Sequence, residues 1–153
     1  MHKSDLLYSI ANAQSKEQSE HRRHLDTIAT GILALSGALV STLALSKANW
    51  AGWSVFPVVL VLLAFAGVAT TVIASLWPRQ WHFQPPLSDL CKYVESGEYE
   101  DEALVLWSGK QIMSAVENNE KPLHSKRLWL GRAYFCLVVE ITALGIFVLS
   151  VST

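Results

Sequence analysis

A single carboxylic acid lies within the last apolar stretch of the chain. The run from Ala133 to Val151 contains one charged residue, Glu140, close to its middle. At bilayer depth a carboxyl group costs several kcal/mol unless it is protonated, paired or hydrated. Such a group can serve as a neutral, hydrogen-bonded acid between helices, or as one member of a carboxylate ring that gates an oligomeric pore. Both interpretations of Glu140 remain open on the sequence.

Glu140 needs a partner under either interpretation. Arg132 lies on nearly the same helical face, two turns earlier, but about 12 Å away along the helix axis. That distance is too long for a direct bond within one helix. We therefore expect the partner to be a Ser or Thr hydroxyl of the first apolar segment, Arg132 of a neighbouring subunit, or water.

A second candidate site is a set of basic and aromatic residues in the second half of the chain. The set comprises Lys92, Trp107, Lys110, Lys121, His124, Lys126 and Arg127. Together these side chains could form a pocket for a phosphate and a base between subunits. The alternative is that Lys126 and Arg127 are the basic residues that flank a membrane span, and that the others are ordinary surface residues.

The remaining reactive residues give little indication of chemistry. Glu17, His21 and His24 have metal-ligand spacing on one helical face, but beside two arginines they are better explained as a solvated surface, so we predict no metal site. The chain contains no P-loop, Gly-x-Ser-x-Gly, Cys-x-x-Cys or His-Glu-x-x-His motif. Cys91 and Cys136 are too few for a disulfide framework. We therefore expect neither an enzyme nor a cofactor.

The composition of the whole chain points to a membrane. Of its 153 residues, 51% are hydrophobic and 16% are charged, whereas a soluble domain carries roughly 25% charged residues. The formal net charge of -1 excludes a general nucleic-acid binder, because such a protein needs a positive field to hold phosphates. The length excludes a multidomain enzyme.

Three charge-poor segments are long enough to cross a bilayer. The predicted fold is an all-α membrane protein with three transmembrane helices. Its predicted parts are an N-terminal cytosolic helix over residues 1–26, a transmembrane hairpin over 27–77 with spans 27–46 and 53–77, a cytosolic helical insert over 78–127, and a third transmembrane helix over 128–153. A signal peptide and a soluble helical bundle fit the first span poorly.

Turn and helix signals subdivide the insert. An aromatic and proline-rich exit from the membrane precedes a short helix that we expect to run to about Glu95 and to end at Gly97. Apolar positions on a helical period predict a second helix from Glu100 to about Asn118. We expect Pro122 to kink the approach to the third span rather than to prevent a long helix.

The positions of Lys and Arg predict the orientation. Basic residues cluster before the first span and around the long loop between the second and third spans. By the positive-inside rule the N-terminus and residues 78–127 face the cytoplasm. The C-terminus is then periplasmic, if the membrane is the bacterial inner membrane.

One face of the first span is made only of small or hydroxyl-bearing residues. We call it the small face, and it consists of Thr27, Thr30, Ala34, Gly37, Ser41 and Ala44. Such faces permit close approach of another helix, and hydroxyl groups also suit a water-filled pore. Packing and pore lining therefore both remain possible roles, with Thr27, Thr30, Gly37 and Ser41 as the candidate pore residues beside Glu140.

The layout resembles a group of small bacterial membrane proteins. The stretch Arg23 to Ala29 enters a small-residue span, and a Trp-Pro-Arg exit at residues 77–79 follows the second span. In these features the chain resembles the SLATT-type and Pycsar-type transmembrane effectors of antiphage defence. Within this group, Hailong-type effector channels are one candidate for the type that the chain resembles. The resemblance implies a homo-oligomer in the lipid bilayer that opens as a pore or disrupts the bilayer when a nucleotide or oligonucleotide signal from a partner nucleotidyltransferase or cyclase changes.

The sequence thus leads to a principal hypothesis and two alternatives. The principal hypothesis is an ion-conducting oligomeric effector in which the first span lines the pore and Glu140 braces or gates it. The first alternative is a non-conducting membrane adapter that recruits a partner protein through its cytosolic helices. A holin-like lytic protein is less well matched, because such proteins seldom need a cytosolic insert of this size.

Overall fold

The computed structural model describes residues 3–45, 55–77 and 101–152. Three α-helices hold all of these residues except Trp77: α1 over Lys3–Leu45, α2 over Val55–Leu76 and α3 over Asp101–Ser152. Each helix is long and apolar enough to cross a membrane. This confirms that the chain is all-helical, with three candidate spans, over the residues described. Lys92 and the short helix expected to end at Gly97 lie outside those residues.

The residue types in the first turns of the three helices suit helix N-termini. Asp5 lies in the first turn of α1, and Asp101 and Glu102 lie in the first turn of α3, where their charges complement the positive end of the helix dipole. Pro57 lies in the first turn of α2, where the backbone amides have no helical partner, so its missing N–H costs nothing.

Helix α3 is longer than either segment predicted within it. The second insert helix, expected to end near Asn118, and the third span belong to one continuous helix that includes Pro122. Proline removes the amide that would bond the carbonyl of Asn118 and crowds that carbonyl. As expected, Pro122 does not end the helix.

The chain divides into two compact units. The first unit contains α1 up to His24 and α3 up to His124. Within it, a Cβ built on Gly109 would lie 3.2 Å from Leu7 Cδ2 and 3.5 Å from Tyr8 Cα. The Gln18 amide donates a 2.9 Å hydrogen bond to the carbonyl of Val116. The two helix segments run parallel, because the residue numbers of these contacts rise together along α1 and α3. They approach closely at Gly109, where α3 has no side chain.

The second unit contains α1 from Leu25, the whole of α2, and α3 from Ser125. Its buried α1 positions are Leu25, Ala29, Ile32, Ser36 and Leu43, and its buried α3 positions include Lys126, Leu130, Ala133, Leu137 and Glu140. The first four α1 positions and all five α3 positions are separated by alternating steps of four and three residues. Such spacing places side chains along one seam of a helix pair. We call this shared line of contact the α1–α3 seam.

Helix α2 packs antiparallel to α3 in the second unit. Val58 and Val61, near the start of α2, join one buried cluster with Leu43, Ala143 and Phe147. Further along α2, a Cβ built on Gly67 would lie 3.0 Å from Cys136 Sγ. Since the α2 numbers rise as the α3 numbers fall, Ala64 lies at about the level of Glu140. The buried face of α2 therefore closes over the α1–α3 seam.

Candidate functional site

Glu140 lies inside the second unit, on the α1–α3 seam. Its side chain is fully buried, at 0% exposure. The hydroxyl of Ser36, which is also 0% exposed, donates a hydrogen bond to Glu140 Oε2. A hydroxyl of the first span was one of the three partners expected from the sequence, and the structure identifies it as Ser36.

The second oxygen of the Glu140 carboxyl has no partner in the described part of the chain. Glu140 Oε1 is buried and receives no hydrogen bond there. Leaving a buried polar atom unsatisfied costs about 1–3 kcal/mol, and more for a charged group. Among the described residues, the site therefore contains an acceptor without a donor in the centre of a three-helix bundle.

The surroundings of the carboxyl differ along the bundle axis. Toward Leu45 and the C-terminal end of α3, the cluster of Leu43, Val58, Val61, Ala143 and Phe147 fills the interior with apolar side chains. In the other direction lies the close contact of Gly67 with Cys136. The hydroxyl of Ser75 is buried further along α2 and also has no partner among the described residues.

A second polar pair joins α1 to α3 where the charge-free part of α1 begins. Lys126 Nζ donates to Asp26 Oδ1. The side chain of Lys126 is 11% exposed and that of Asp26 is 38% exposed, so the pair is partly shielded from solvent. The guanidinium of Arg132 lies 4.6 Å from the centre of the Trp129 ring, an arrangement typical of a membrane interface. Both features fit the start of a span at this level of α3.

The small face of α1 points away from the α1–α3 seam. Thr27, Thr30, Ala34, Ser41 and Ala44 are exposed, and Gly37 is half-buried. At 100° per residue this face lies roughly opposite the buried line of Leu25, Ala29, Ile32 and Ser36. A Cβ built on Gly37 would have nothing within 4 Å. Within the described second unit, the small face is therefore not used for packing, and Glu140 is not on the same side as Thr30 and Ser41.

Two hydroxyls of the small face, those of Thr30 and Ser41, bond within their own helix. Thr30 Oγ1 donates to the carbonyls of Asp26, at 3.1 Å, and Thr27, at 2.9 Å. Ser41 Oγ donates to the carbonyl of Gly37 at 2.8 Å. These side chains therefore need no outside acceptor, and their oxygens can still accept hydrogen bonds from water or a neighbouring helix.

Six of the seven candidate ligand-binding residues lie in the described part of the chain, four in the first unit and two in the second. Lys110, Lys121, His124 and Arg127 are exposed, Trp107 is half-buried, and Lys126 is buried against Asp26. The helical period places Lys110, Lys121 and His124, all in the first unit, on one side of their helix segment. Lys110 and Lys121 are about 16 Å apart along the axis.

Sequence reasoning missed Ser36, Asp26 and the role of Lys126. The signal for Ser36 was the alternation of four-residue and three-residue steps through Leu25, Ala29, Ile32 and Ser36, a series to which Asp26 does not belong. In the described residues no group of three His, Cys, Asp or Glu side chains could hold a metal ion. Comparison with protein families, with curated proteins and with solved structures finds no match to this chain.

Proposed function

We propose that the chain is a homo-oligomeric membrane effector that conducts ions, with the small face of α1 directed toward neighbouring copies and the pore. The observation that carries this proposal is the exposure of that face on the side of α1 opposite the α1–α3 seam. The small face is the part of the second unit best suited to another helix or to water. The proposal assigns no catalytic role and no cofactor.

The other exposed surfaces of the second unit suit lipid better. Leu63 on α2 is 65% exposed, and Phe135 and Leu149 on α3 are each 69% exposed. Bulky apolar side chains fit among lipid tails, whereas small residues gain from close helix packing because they let backbones approach. Contrast between these surfaces supports α1 as the helix that meets other copies. The space around Gly37 would admit a side chain from such a neighbour.

Glu140 acts in this proposal as a brace rather than as a pore-lining gate. Its bond to Ser36 lies within one copy of the chain and fixes the rotation of α1 about its own axis. With Ser36 facing inward, Thr30 and Ser41 face outward. A change in the Ser36–Glu140 bond would therefore change the orientation of the pore-lining residues.

Regulation by a nucleotide is the part of the proposal that comes from the resemblance to antiphage effectors. The proposed signal is a nucleotide or oligonucleotide made by a partner nucleotidyltransferase, received on the cytosolic side of the bacterial inner membrane. Lys110, Lys121 and His124 are exposed on one side of α3, where side chains from adjacent copies could join them around phosphates. In this orientation the N-terminus and the 78–127 insert are cytoplasmic and the C-terminus is periplasmic.

The membrane adapter is the second candidate, and one observation favours it. Thr30 and Ser41 already donate hydrogen bonds within α1, and Glu140 is paired within the chain. Hydroxyl groups satisfied in this way can lie between packed helices without water. An adapter would use the small face only for oligomer packing and would carry no current.

Reconstitution of the purified chain in liposomes distinguishes the two candidates. We expect ion flux from the wild type, and loss of flux together with loss of the oligomer in Gly37→Leu, because the added side chain fills the contact face. Gly145→Leu is the matched control, since Gly145 is an exposed glycine of α3 with nothing within 4 Å of an added Cβ. An oligomer without flux, alone or with nucleotides from a partner enzyme, would favour the adapter. A monomer without flux would contradict both.

A further inference from the structure

We propose that Glu140 is a proton-binding site and that its protonated carboxyl, with Ser36, forms a latch between α1 and α3. The latch is defined by these two residues, whose side chains are both fully buried and bonded to each other. The proposal does not depend on ion conduction, because it concerns the state of one carboxyl within a single copy of the chain.

The first argument is the absence of a compensating positive charge in the described helices at this depth. Helix α1 has no ionisable residue from Thr27 to Leu45, and α2 has none from Val55 to Leu76. Helix α3 contributes Arg132, Tyr134 and Cys136 on one side of Glu140 and no ionisable residue from Ile141 to Ser152. None of these helices supplies a cation that could pair with an ionised carboxylate here.

The three ionisable groups nearest along α3 do not fill that role. Arg132 is two turns away, about 12 Å along the axis, and is exposed, with its guanidinium over the ring of Trp129. Tyr134 is 61% exposed. Cys136 is directed at Gly67 of α2. A negative charge on Glu140 would therefore be buried with one serine hydroxyl as its only described donor.

The second argument is the hydrogen-bond capacity of the two oxygens. An ionised carboxylate has two acceptor oxygens with about four lone-pair sites, but Oε1 receives no donor among the described residues. A protonated carboxyl carries its hydrogen on one oxygen and can donate it to Ser36 Oγ, because a hydroxyl oxygen both donates and accepts. Oε1 is then a neutral carbonyl oxygen, for which a missing donor is less costly. The geometry fits the protonated form.

Release of the proton would change the packing of the two helices. The proton passes to a water molecule and leaves one negative charge on the carboxyl. That charge requires donors that the described interior lacks, so water must enter beside Ser36 or the carboxyl must turn out of the seam. Either change separates α1 from α3 locally. Ser36 is a positioning residue in this mechanism, since it orients the carboxyl without exchanging the proton itself.

Infrared difference spectroscopy of the full chain in lipid at neutral pH tests the latch. We expect the wild-type spectrum minus that of Glu140→Gln to contain the carbonyl stretch of a protonated carboxylic acid. Glutamine has nearly the same shape and can donate to Ser36 Oγ, so the fold should persist. Glu120→Gln, at an exposed carboxyl of the same helix, is the control and should lose only carboxylate bands. Loss of carboxylate bands in Glu140→Gln would overturn the proposal.

A second variant tests the bond between the two residues separately from the proton. In Ser36→Ala the carboxyl loses its hydroxyl partner, so we expect the protonated carbonyl band to remain and to shift to higher frequency. An unchanged band position would show that Ser36 does not hold the carboxyl and would overturn the latch. Disappearance of the protonated band would also overturn it. Ser36 would then be needed to keep the carboxyl protonated, whereas in the latch it only orients the carboxyl.

Discussion

Ser36 and Glu140 are 104 positions apart in the sequence, yet their side chains share a buried hydrogen bond between α1 and α3. Both lie on the α1–α3 seam, at positions where an apolar side chain would be ordinary. Isolated buried polar residues in helix pairs fix the register of the helices at some cost in stability. The pair therefore favours one level and one rotation of α1 against α3 within the second unit.

The Asp26–Lys126 pair should stabilise the same two helices at the level where the charge-free part of α1 begins. The Lys126 side chain is only 11% exposed. In Asp26→Ala its ammonium loses Asp26 Oδ1, the acceptor that the structure shows for it. We expect the free energy of unfolding in detergent micelles to fall by about 1–3 kcal/mol. Thermal or denaturant unfolding followed by circular dichroism measures this change.

An exchange of charges provides the control for this pair. The double variant Asp26→Lys with Lys126→Asp restores an opposite-charge pair, so it should recover part of the stability lost in each single variant. If the double variant were no more stable than the singles, the contact between the two residues would contribute nothing.

Gly67 should tolerate no large side chain. A Cβ at this position would already lie 3.0 Å from Cys136 Sγ, so Gly67→Leu must push α2 away from α3. Overpacking of this kind costs about 1–3 kcal/mol, and we expect a corresponding loss of unfolding free energy in micelles. Gly145→Leu, at an open position, should be close to the wild type. Equal stability of the two variants would contradict the α2–α3 contact.

Gly109 should be equally important within the first unit. Leu7 Cδ2 and the backbone of Tyr8 lie within 3.5 Å of an added Cβ, so Gly109→Leu should separate the two helix segments. We expect faster amide hydrogen exchange over residues 3–24, measured by mass spectrometry. Gly131→Leu is the comparison, since nothing lies within 4 Å of a Cβ there. Unchanged exchange in Gly109→Leu would show that the close approach is unimportant.

The sequence predicted the helical class and the three spans because long charge-free runs match the thickness of a bilayer and are uncommon in soluble domains. It also predicted that a first-span hydroxyl could serve Glu140. It did not identify Ser36, because α1 carries two faces with alternating steps of three and four residues, and only one of them forms the seam. Either face could lie against lipid or against another helix, because lipid tails are as apolar as the side chains of a span. Hydrophobicity therefore does not distinguish the seam from the small face.

The burial of Lys126 shows a different limit. Charge alone groups Lys126 with the other basic residues of the candidate ligand site, but its side chain is buried against Asp26. The partner that buries it lies 100 positions earlier in the chain, and such a contact depends on the register between helices, which local sequence does not determine.

Thiol modification during current recording is the decisive measurement for the proposed pore. Cys91 and Cys136 are first replaced by Ser. The test variant then carries Ser41→Cys on the small face. The control carries Ile141→Cys on α3, where the native side chain is 48% exposed and faces lipid in the proposed arrangement. If the small face lines a pore, a charged methanethiosulfonate reagent should change the current through Ser41→Cys and leave that through Ile141→Cys unchanged. The absence of current, or equal responses of the two variants, would contradict a pore lined by the small face.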